Sequence, residues 1–166
     1  MVDHLESIVD QALGGRPGHW TFAVAGPSGP ATIVGDPSRS YRLASVTKPL
    51  AAAATWLAIE EGTVSLDDPA GPEGSTLGHL LAHASGLPFE GRDAIAAPGT
   101  RRIYSNTGFE VAAEHLAAAS GLSMATYLHE GVCAPLDMAS THLDASPAWG
   151  ATSTVADLIR FGQELL

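Results

Sequence analysis

The sequence predicts an α+β fold in which two or three short strands near the N-terminus precede a mostly helical region. Two β-type runs flank a turn rich in glycine and proline, and segments rich in alanine and leucine fill most of the remaining chain. The length of 166 residues is typical of one domain. A content of 45% apolar and 16% charged residues indicates a globular protein with a core.

The first predicted elements are a helix and a hairpin. Residues 3–13 have apolar side chains at helical spacing, and Gly14-Gly15 ends the pattern. Two short strands are predicted from the runs HWTFAVAG and PATIVGD, and residues 26–29 between them have the composition of a turn. Residues 41–43 predict a third extended segment.

The helical region is predicted to begin close to Ser45. The chain from Val46 to Glu61 is rich in alanine and leucine, and Pro49 fits only in the first turn of a helix. Gly62 is a natural stop. Further helices are predicted over residues 77–83, 107–120, 123–133 and 153–166, with an irregular loop over 87–103 and with Ser153 or Thr154 as the last N-cap. Trp20, Trp56 and Trp149 are expected in the core or in packing positions.

Charge and cysteine content exclude several classes of protein. A net charge of −10 disfavours binding to nucleic acid or to an anionic membrane surface. A single cysteine, Cys133, excludes an intramolecular disulfide and a thiolate metal site. The first residues are acidic and polar, and the longest apolar run, 49–59, is too short to cross a bilayer. We therefore expect a soluble cytoplasmic protein, although a mature secreted chain that restarts with Met would have the same features.

Ser45 and Lys48 are candidate catalytic residues. Lys48 is the only lysine, whereas the other seven basic residues are arginine. Spacing i, i+3 places both side chains on one helix face. A serine hydroxyl needs a base to become a nucleophile, and lysine can be that base whereas arginine cannot lose its proton. With fourteen serines in the chain, chance alone gives this spacing about one time in twelve. A surface lysine near the helix start is therefore the alternative.

Tyr104 and Asn106 are a second pair of candidates, in a Pro/Gly-rich loop just before a predicted helix. A phenol beside a cationic lysine ionises more readily and can relay protons, and an asparagine amide can orient a substrate carbonyl. For this tripeptide alone, a turn with an N-cap is the simpler interpretation.

Taken together, these segments resemble the serine β-lactamase and penicillin-binding-protein-like hydrolases. The resemblance is strongest to the branch with class C β-lactamases, D-alanyl-D-alanine carboxypeptidases and related esterases. It covers about residues 20–166, in the family's order, through YRLASVTKPL, EEGTVSLDDPA, LGHLLAHASGLP, PGTRRIYSNTGFEVAAEHL, APLDM and GATSTVADLIRFGQELL. It implies a β-lactamase/transpeptidase-like fold. Residues 1–48 would form the N-terminal part of an α/β sandwich, 49–150 a mainly helical region, and 151–166 a helix that returns to the sandwich.

The resemblance also implies roles for matched residues. Ser45 would be the acylated nucleophile and Lys48 its proton partner, and Tyr104 would be a general base or acid. Asn106 would bind the substrate's amide or carbonyl. Which of Lys48 and Tyr104 takes the proton stays open, because the two would titrate as a coupled pair. His83 matches a family position with a structural role, and no cofactor or metal is expected.

The family's third motif, Lys/His-Thr/Ser-Gly on a strand beside the nucleophile, has no counterpart in these 166 residues. The C-terminal strands of the sheet are therefore expected to be missing from this chain. A second polypeptide that supplies them is the favoured explanation, and a truncated chain or a degenerate scaffold are the others. The predicted function is a serine hydrolase that forms an acyl-enzyme with a small ester, amide or lactam. The alternative is a non-catalytic acyl-binding sensor or scaffold of the same fold.

Overall fold

The computed structural model describes residues 2–166, and helices contribute more of them than strands do. The α-helices are α1 (Val2–Leu13), α2 (Thr47–Glu60), α3 (Leu77–Leu81), α4 (Asn106–Ser120), α5 (Met124–Leu128) and α6 (Val155–Glu164). The strands are β1 (Phe22–Val24), β2 (Thr32–Val34), β3 (Ser40–Arg42), β4 (His142–Leu143) and β5 (Ala151–Thr154). A 3₁₀ turn, Ala44–Val46, precedes α2, and a π-helical turn, His129–Cys133, follows α5. The predicted α+β class is confirmed.

The strands form two antiparallel sheets. β1 and β2 pair as the predicted hairpin, and β5 lies between β3 and β4 in a three-stranded sheet. Within that sheet, Tyr41 lies opposite Ser153 and Leu143 lies opposite Ala151. The predicted extended segment at residues 41–43 thus corresponds to β3. No strand was predicted at β4 or β5, because neither has an apolar pattern and only their hydrogen bonds to neighbouring strands define them.

The last helix begins at the second of its two predicted caps. Residues 151–154 belong to β5, and α6 starts at Val155. Thr154 is its N-cap, since its hydroxyl accepts a hydrogen bond from the Asp157 N–H at 3.2 Å. Ser153, the other predicted cap, instead shares a hydrogen bond with Thr141 across 2.7 Å.

The core is built around α2. Its residues Leu50, Ala51, Ala54 and Ala58 are at most 1% exposed, and α4 and α5 pack against it. Small alanine side chains allow the neighbouring helices to approach closely, so that α2 is buried on most of its surface. In this way the core fixes the position of the first turn of α2.

The prediction of core positions for the three tryptophans was wrong. Trp20, Trp56 and Trp149 are 44%, 49% and 39% exposed. The buried apolar positions are filled mostly by alanine and leucine instead.

The predicted helix over residues 123–133 is interrupted. The chain leaves α-helical geometry after Leu128, and the Ala134 N–H donates to the His129 carbonyl at 2.8 Å, a bond that spans five residues. Gly131 in this turn packs against Leu57, whose side chain would have to shift to admit a Cβ at residue 131. Among residues 2–166, no helix combines the length and the apolar character that a membrane span requires.

Candidate active site

Ser45 and Lys48 lie where β3 leads into α2. Ser45 is the middle residue of the 3₁₀ turn and is exposed, whereas Lys48, in the first turn of α2, is buried. Ala44 has a φ of 47°, which is uncommon for a residue with a side chain and makes the connection sharp. Ser45 therefore stands at the N-terminal end of α2, where backbone N–H groups lack intrahelical acceptors.

The Lys48 ammonium has an acceptor for each of its three N–H donors. Nζ lies 3.3 Å from Ser45 Oγ, 2.7 Å from Asn106 Oδ1 and 2.9 Å from the carbonyl oxygen of Ala148. Lys48 is 4% exposed. None of the ion pairs within residues 2–166 includes it, so all its partners are neutral.

Two aromatic rings complete the surroundings of the ammonium. Lys48 Nζ lies 4.6 Å from the ring centroid of Tyr104 and 5.8 Å from that of Phe109. Such faces attract a cation, most strongly where water is excluded. Phe109 was missed by the sequence analysis, although it lies on α4 three residues after Asn106 and therefore on a similar face of that helix.

Ser105 anchors the loop that carries Tyr104 and Asn106. Its hydroxyl accepts from the Gly108 N–H at 2.9 Å as the N-cap of α4, and it donates to the Pro88 carbonyl at 2.6 Å. Ser105 is 1% exposed. The N-cap interpretation of the tripeptide is thus correct for its middle residue, and the same cap holds the two flanking candidates in place.

His83 contacts two residues of this loop, Ser105 and Tyr104. Its Nδ1 accepts from the Ser105 N–H at 3.1 Å, which leaves the ring proton on Nε2. Its ring centroid lies 4.5 Å from that of Tyr104. Burial lowers the pKa of His83, and the charges of Arg102 and Lys48 lower it further, so the imidazole is neutral. These contacts agree with the structural role expected from the resemblance.

Tyr104 lies beside Ser45 and is 36% exposed. Burial alone raises the pKa of its phenol, but the neighbouring Lys48 ammonium and Ser45 hydroxyl, together with Arg102, outweigh burial and lower that pKa below its ordinary value. Its ring also stacks against Phe89, with centroids 6.1 Å apart. Phe89 was missed by the sequence analysis, because nothing in its local sequence distinguishes it from an ordinary loop residue.

Asn106 joins the second predicted pair to the first. Its backbone N–H donates to the Phe89 carbonyl at 2.9 Å, and its side chain is 6% exposed. Because Oδ1 already accepts from Lys48, the amide NH₂ is the group that can donate to a substrate carbonyl. The structure thus brings Ser45, Lys48, Tyr104 and Asn106 together, with a hydroxyl, an amine, a phenol and an amide in one place.

Comparison with known proteins identifies one family and several relatives that match this chain. A family model described as Beta-lactamase matches residues 36–165. The chain is 29% identical over 143 residues to the D-alanyl-D-alanine-carboxypeptidase/endopeptidase AmpH of Escherichia coli. The match covers 64% of this chain and 37% of that protein. It is also 29% identical over 136 residues to penicillin-binding protein 4* of Bacillus subtilis. This second match covers 62% of this chain and 30% of the Bacillus subtilis protein. The chain thus spans about a third of the length of these relatives.

Solved structures share the fold. A beta-lactamase from Mycobacterium bovis is 53% identical, with a TM-score of 0.89 over 93% of this chain and 58% of that one. A D-amino acid amidase from Ochrobactrum anthropi is 20% identical, with a TM-score of 0.82 over 96% of this chain and 68% of that one. The predicted β-lactamase/transpeptidase-like fold is therefore confirmed.

Proposed function

The chain belongs to the Beta-lactamase family, because the family model matches residues 36–165. We therefore propose that the protein is a serine hydrolase that forms an acyl-enzyme at Ser45. The observation that carries the proposal is the set of contacts made by Lys48. One buried amine touches the hydroxyl of Ser45 and the amide of Asn106. A serine beside an amine of this kind is the arrangement that nucleophilic catalysis requires.

The proposed reaction begins with attack by Ser45 Oγ on a carbonyl carbon. Its proton passes to Lys48 in its neutral amine form or to Tyr104 as phenolate, a new C–O bond forms, and the carbonyl oxygen becomes an oxyanion near the N-terminal end of α2. The Asn106 amide donates to a carbonyl of the substrate. When the oxyanion collapses, the bond to the leaving group breaks and the leaving group takes up the proton.

Water then completes the reaction. It attacks the ester at Ser45 while Tyr104 or Lys48 takes its proton, and the proton returns to Ser45 Oγ as the acid is released. The lowered pKa of Tyr104 favours its participation as a base in this step. The names of two of the matched proteins, a carboxypeptidase and a beta-lactamase, suggest an amide or lactam carbonyl. An ester reacts by the same steps.

We further propose that polypeptide outside residues 1–166 completes the site. The related beta-lactamase from Mycobacterium bovis extends well beyond the matched part, since only 58% of its chain is covered. An apolar groove of about 530 Å³ lies open between β1 and α6. It is lined by Ala23, Ala25, Val155, Leu158, Ile159, Gly162, Leu165 and Leu166. A further layer of the fold, supplied by a second polypeptide as the sequence analysis favours, would cover this groove and carry the third motif.

Labelling by a fluorescent fluorophosphonate tests the nucleophile. We expect one label per chain in the full protein, lost in Ser45→Ala and retained in Ser7→Ala, since Ser7 is an exposed serine on α1. Labelling that survives Ser45→Ala would falsify the assignment. Turnover of an ester substrate supports the hydrolase, whereas labelling without turnover supports the acyl-binding sensor.

A second experiment tests the completion of the site. Residues 1–166 alone are compared with the same residues in the presence of the remaining polypeptide of the fold. We expect rapid labelling of Ser45 only in the complete assembly, and intact-mass analysis shows whether the remainder is a separate chain. Equal labelling rates in the two samples would contradict a completing polypeptide.

A further inference from the structure

A second hydrogen-bonded route leads from α4 to Lys48, and from it we propose that Glu110 and Ser146 are positioning residues for the reaction at Ser45. They act by fixing the Ala148 carbonyl, which is one of the three acceptors of the Lys48 ammonium. The inference rests on the proposed function, because it concerns how the proton partner of Ser45 is held.

The route consists of three short hydrogen bonds. Ser146 Oγ donates to Glu110 Oε1 at 2.7 Å and accepts from the Ala148 N–H at 3.1 Å. The carbonyl of the same residue, Ala148, accepts from Lys48 Nζ at 2.9 Å. Because the single hydroxyl proton of Ser146 points to the carboxylate, its lone pairs face the Ala148 N–H, and the bonds reinforce one another.

The direct contact to Lys48 and the indirect route both start from α4. Asn106 and Glu110 are spaced i, i+4 and therefore lie on one face of that helix. Asn106 contacts Lys48 directly at 2.7 Å, whereas Glu110 reaches it through Ser146 and Ala148. One helix face thus controls two of the three acceptors of the ammonium.

The loop that presents Ala148 is shaped around Ser146. The N–H groups of Trp149 and Gly150 both donate to the Ser146 carbonyl, at 3.1 and 2.7 Å. A Cβ at residue 150 would lie 2.6 Å from the carbonyl carbon of Ala145, so the turn is closely packed. Ala148 itself is fully buried.

The far end of the loop is tied to the nucleophile helix. The Ala151 N–H donates to Thr47 Oγ1 at 3.0 Å, and Thr47 directly precedes Lys48. The direction of the Ala148 carbonyl therefore depends on Thr47 at one end and on Ser146 with Glu110 at the other. Removal of the Glu110 end takes away one restraint on Ala148, so that its carbonyl can shift relative to the ammonium although the Trp149 N–H still holds the same peptide group.

The test separates chemistry from binding in the full protein. The variants are Glu110→Ala and Ser146→Ala, the conservative Glu110→Gln and Ser146→Thr, and the matched control Glu114→Ala. Glu114 is a carboxylate one turn further along α4 that pairs with Arg92 at the surface. The measurement is the rate constant for labelling of Ser45 at a series of fluorophosphonate concentrations. Its dependence on concentration gives a maximal rate constant and a half-saturating concentration.

We expect both alanine variants to lower the maximal rate constant about 10- to 100-fold, the scale of a small misplacement of a reacting group. The half-saturating concentration should change by less than about twofold, because neither residue contacts the probe. Glu110→Gln and Ser146→Thr keep the hydrogen-bonding oxygens and should approach the parent rate, and Glu114→Ala should equal it.

Three results would overturn the inference. The first is a parent rate constant in both alanine variants. The second is an equal loss in Glu110→Gln and Glu110→Ala. The third is a loss that disappears when the rate is expressed per folded molecule, since that loss reflects stability alone. A parent protein whose Ser45 never reacts would instead refute the proposed function.

Discussion

Lys48 is a buried cation whose hydrogen-bond partners are all neutral. Burial of an ammonium costs several kcal/mol, and here three acceptors and two aromatic faces offset this cost. A carboxylate partner would be left buried and unpaired if the amine lost its proton. Neutral acceptors such as Asn106 and the Ala148 carbonyl carry no such penalty, which suits the proposed role of this amine as a proton partner of Ser45.

The ionisation of Tyr104 gives a prediction at this scale. Because Lys48, Ser45 and Arg102 lower the pKa of this phenol, the labelling rate of Ser45 should rise with pH along a limb whose midpoint lies below 10.0, the ordinary value for tyrosine. Tyr104→Phe should remove that limb. The measurement is the pH profile of the labelling rate, together with ultraviolet difference titration of the tyrosines.

Tyr127 provides the matched control for this titration. Burial and the nearby Glu61 raise the pKa of Tyr127 above 10.0, so Tyr127→Phe should remove only an ionisation that occurs at higher pH.

Since the folded-state pKa of Tyr104 is depressed, its phenolate stabilises the fold only at alkaline pH. That gain is lost as the pH falls through the folded pKa. If the labelling rate of Tyr104→Phe still rose with pH with the same midpoint, another group would be titrating.

The element that organises the site is the first turn of α4. Ser105 caps it, Asn106 contacts Lys48, and Phe109 faces the same ammonium. A helix holds these side chains at fixed spacing, so one cap positions several groups together. The backbone of the preceding loop is held by hydrogen bonds to Pro88 and Phe89.

Comparison of two helix caps tests this role of α4. Ser105→Ala and Ser123→Ala each remove an N-cap hydroxyl, from α4 and α5 respectively, and each should lower the free energy of unfolding by about 1 kcal/mol. Ser105→Ala should cost about 1–3 kcal/mol in addition, because the Pro88 carbonyl also loses its donor.

The two variants should differ in reactivity as well as in stability. Only Ser105→Ala should slow the labelling of Ser45, because only that cap supports Tyr104 and Asn106. Urea unfolding and labelling rates measured on the same samples check both effects. Equal labelling rates in the two variants would show that α4 keeps the site in place without its cap.

At the scale of the whole molecule, one core joins the helices to the three-stranded sheet. Phe161 of α6 and Ala151 of β5 belong to the same cluster of buried residues as Leu50 of α2. Cys133 lies in this cluster as well and is 2% exposed. Its place in the core makes it a reporter of the integrity of the fold.

Thiol reactivity should therefore follow global unfolding. Burial raises the pKa of Cys133 to about 11, and the charge of Asp157 adds to this, so the thiol is protonated at pH 8. We expect no reaction with a thiol-specific disulfide reagent in native protein, and reaction of one thiol per chain as urea unfolds it. The release of reagent should coincide with the loss of circular dichroism. Rapid reaction without urea would show that the core opens locally near Cys133.

Local sequence determined much of the frame of this protein. Pro49 sets the start of α2, Gly121 with a φ of 76° ends α4, and Thr154 caps α6, because each of these signals acts through bonds to residues within one turn. The spacing of Ser45 and Lys48 placed them on one helix face for the same reason. The catalytic roles of the four candidate residues stay predictions.

Only the tertiary structure decided what surrounds Lys48. Its acceptor at Ala148 is a backbone carbonyl 100 positions away, and such a carbonyl has the same chemistry at every residue of the chain. Phe89, Ser146 and Glu110 likewise gain their places through contacts between distant segments. Neighbours of this kind depend on how the helices pack, and packing is a property of the whole core that no local pattern contains.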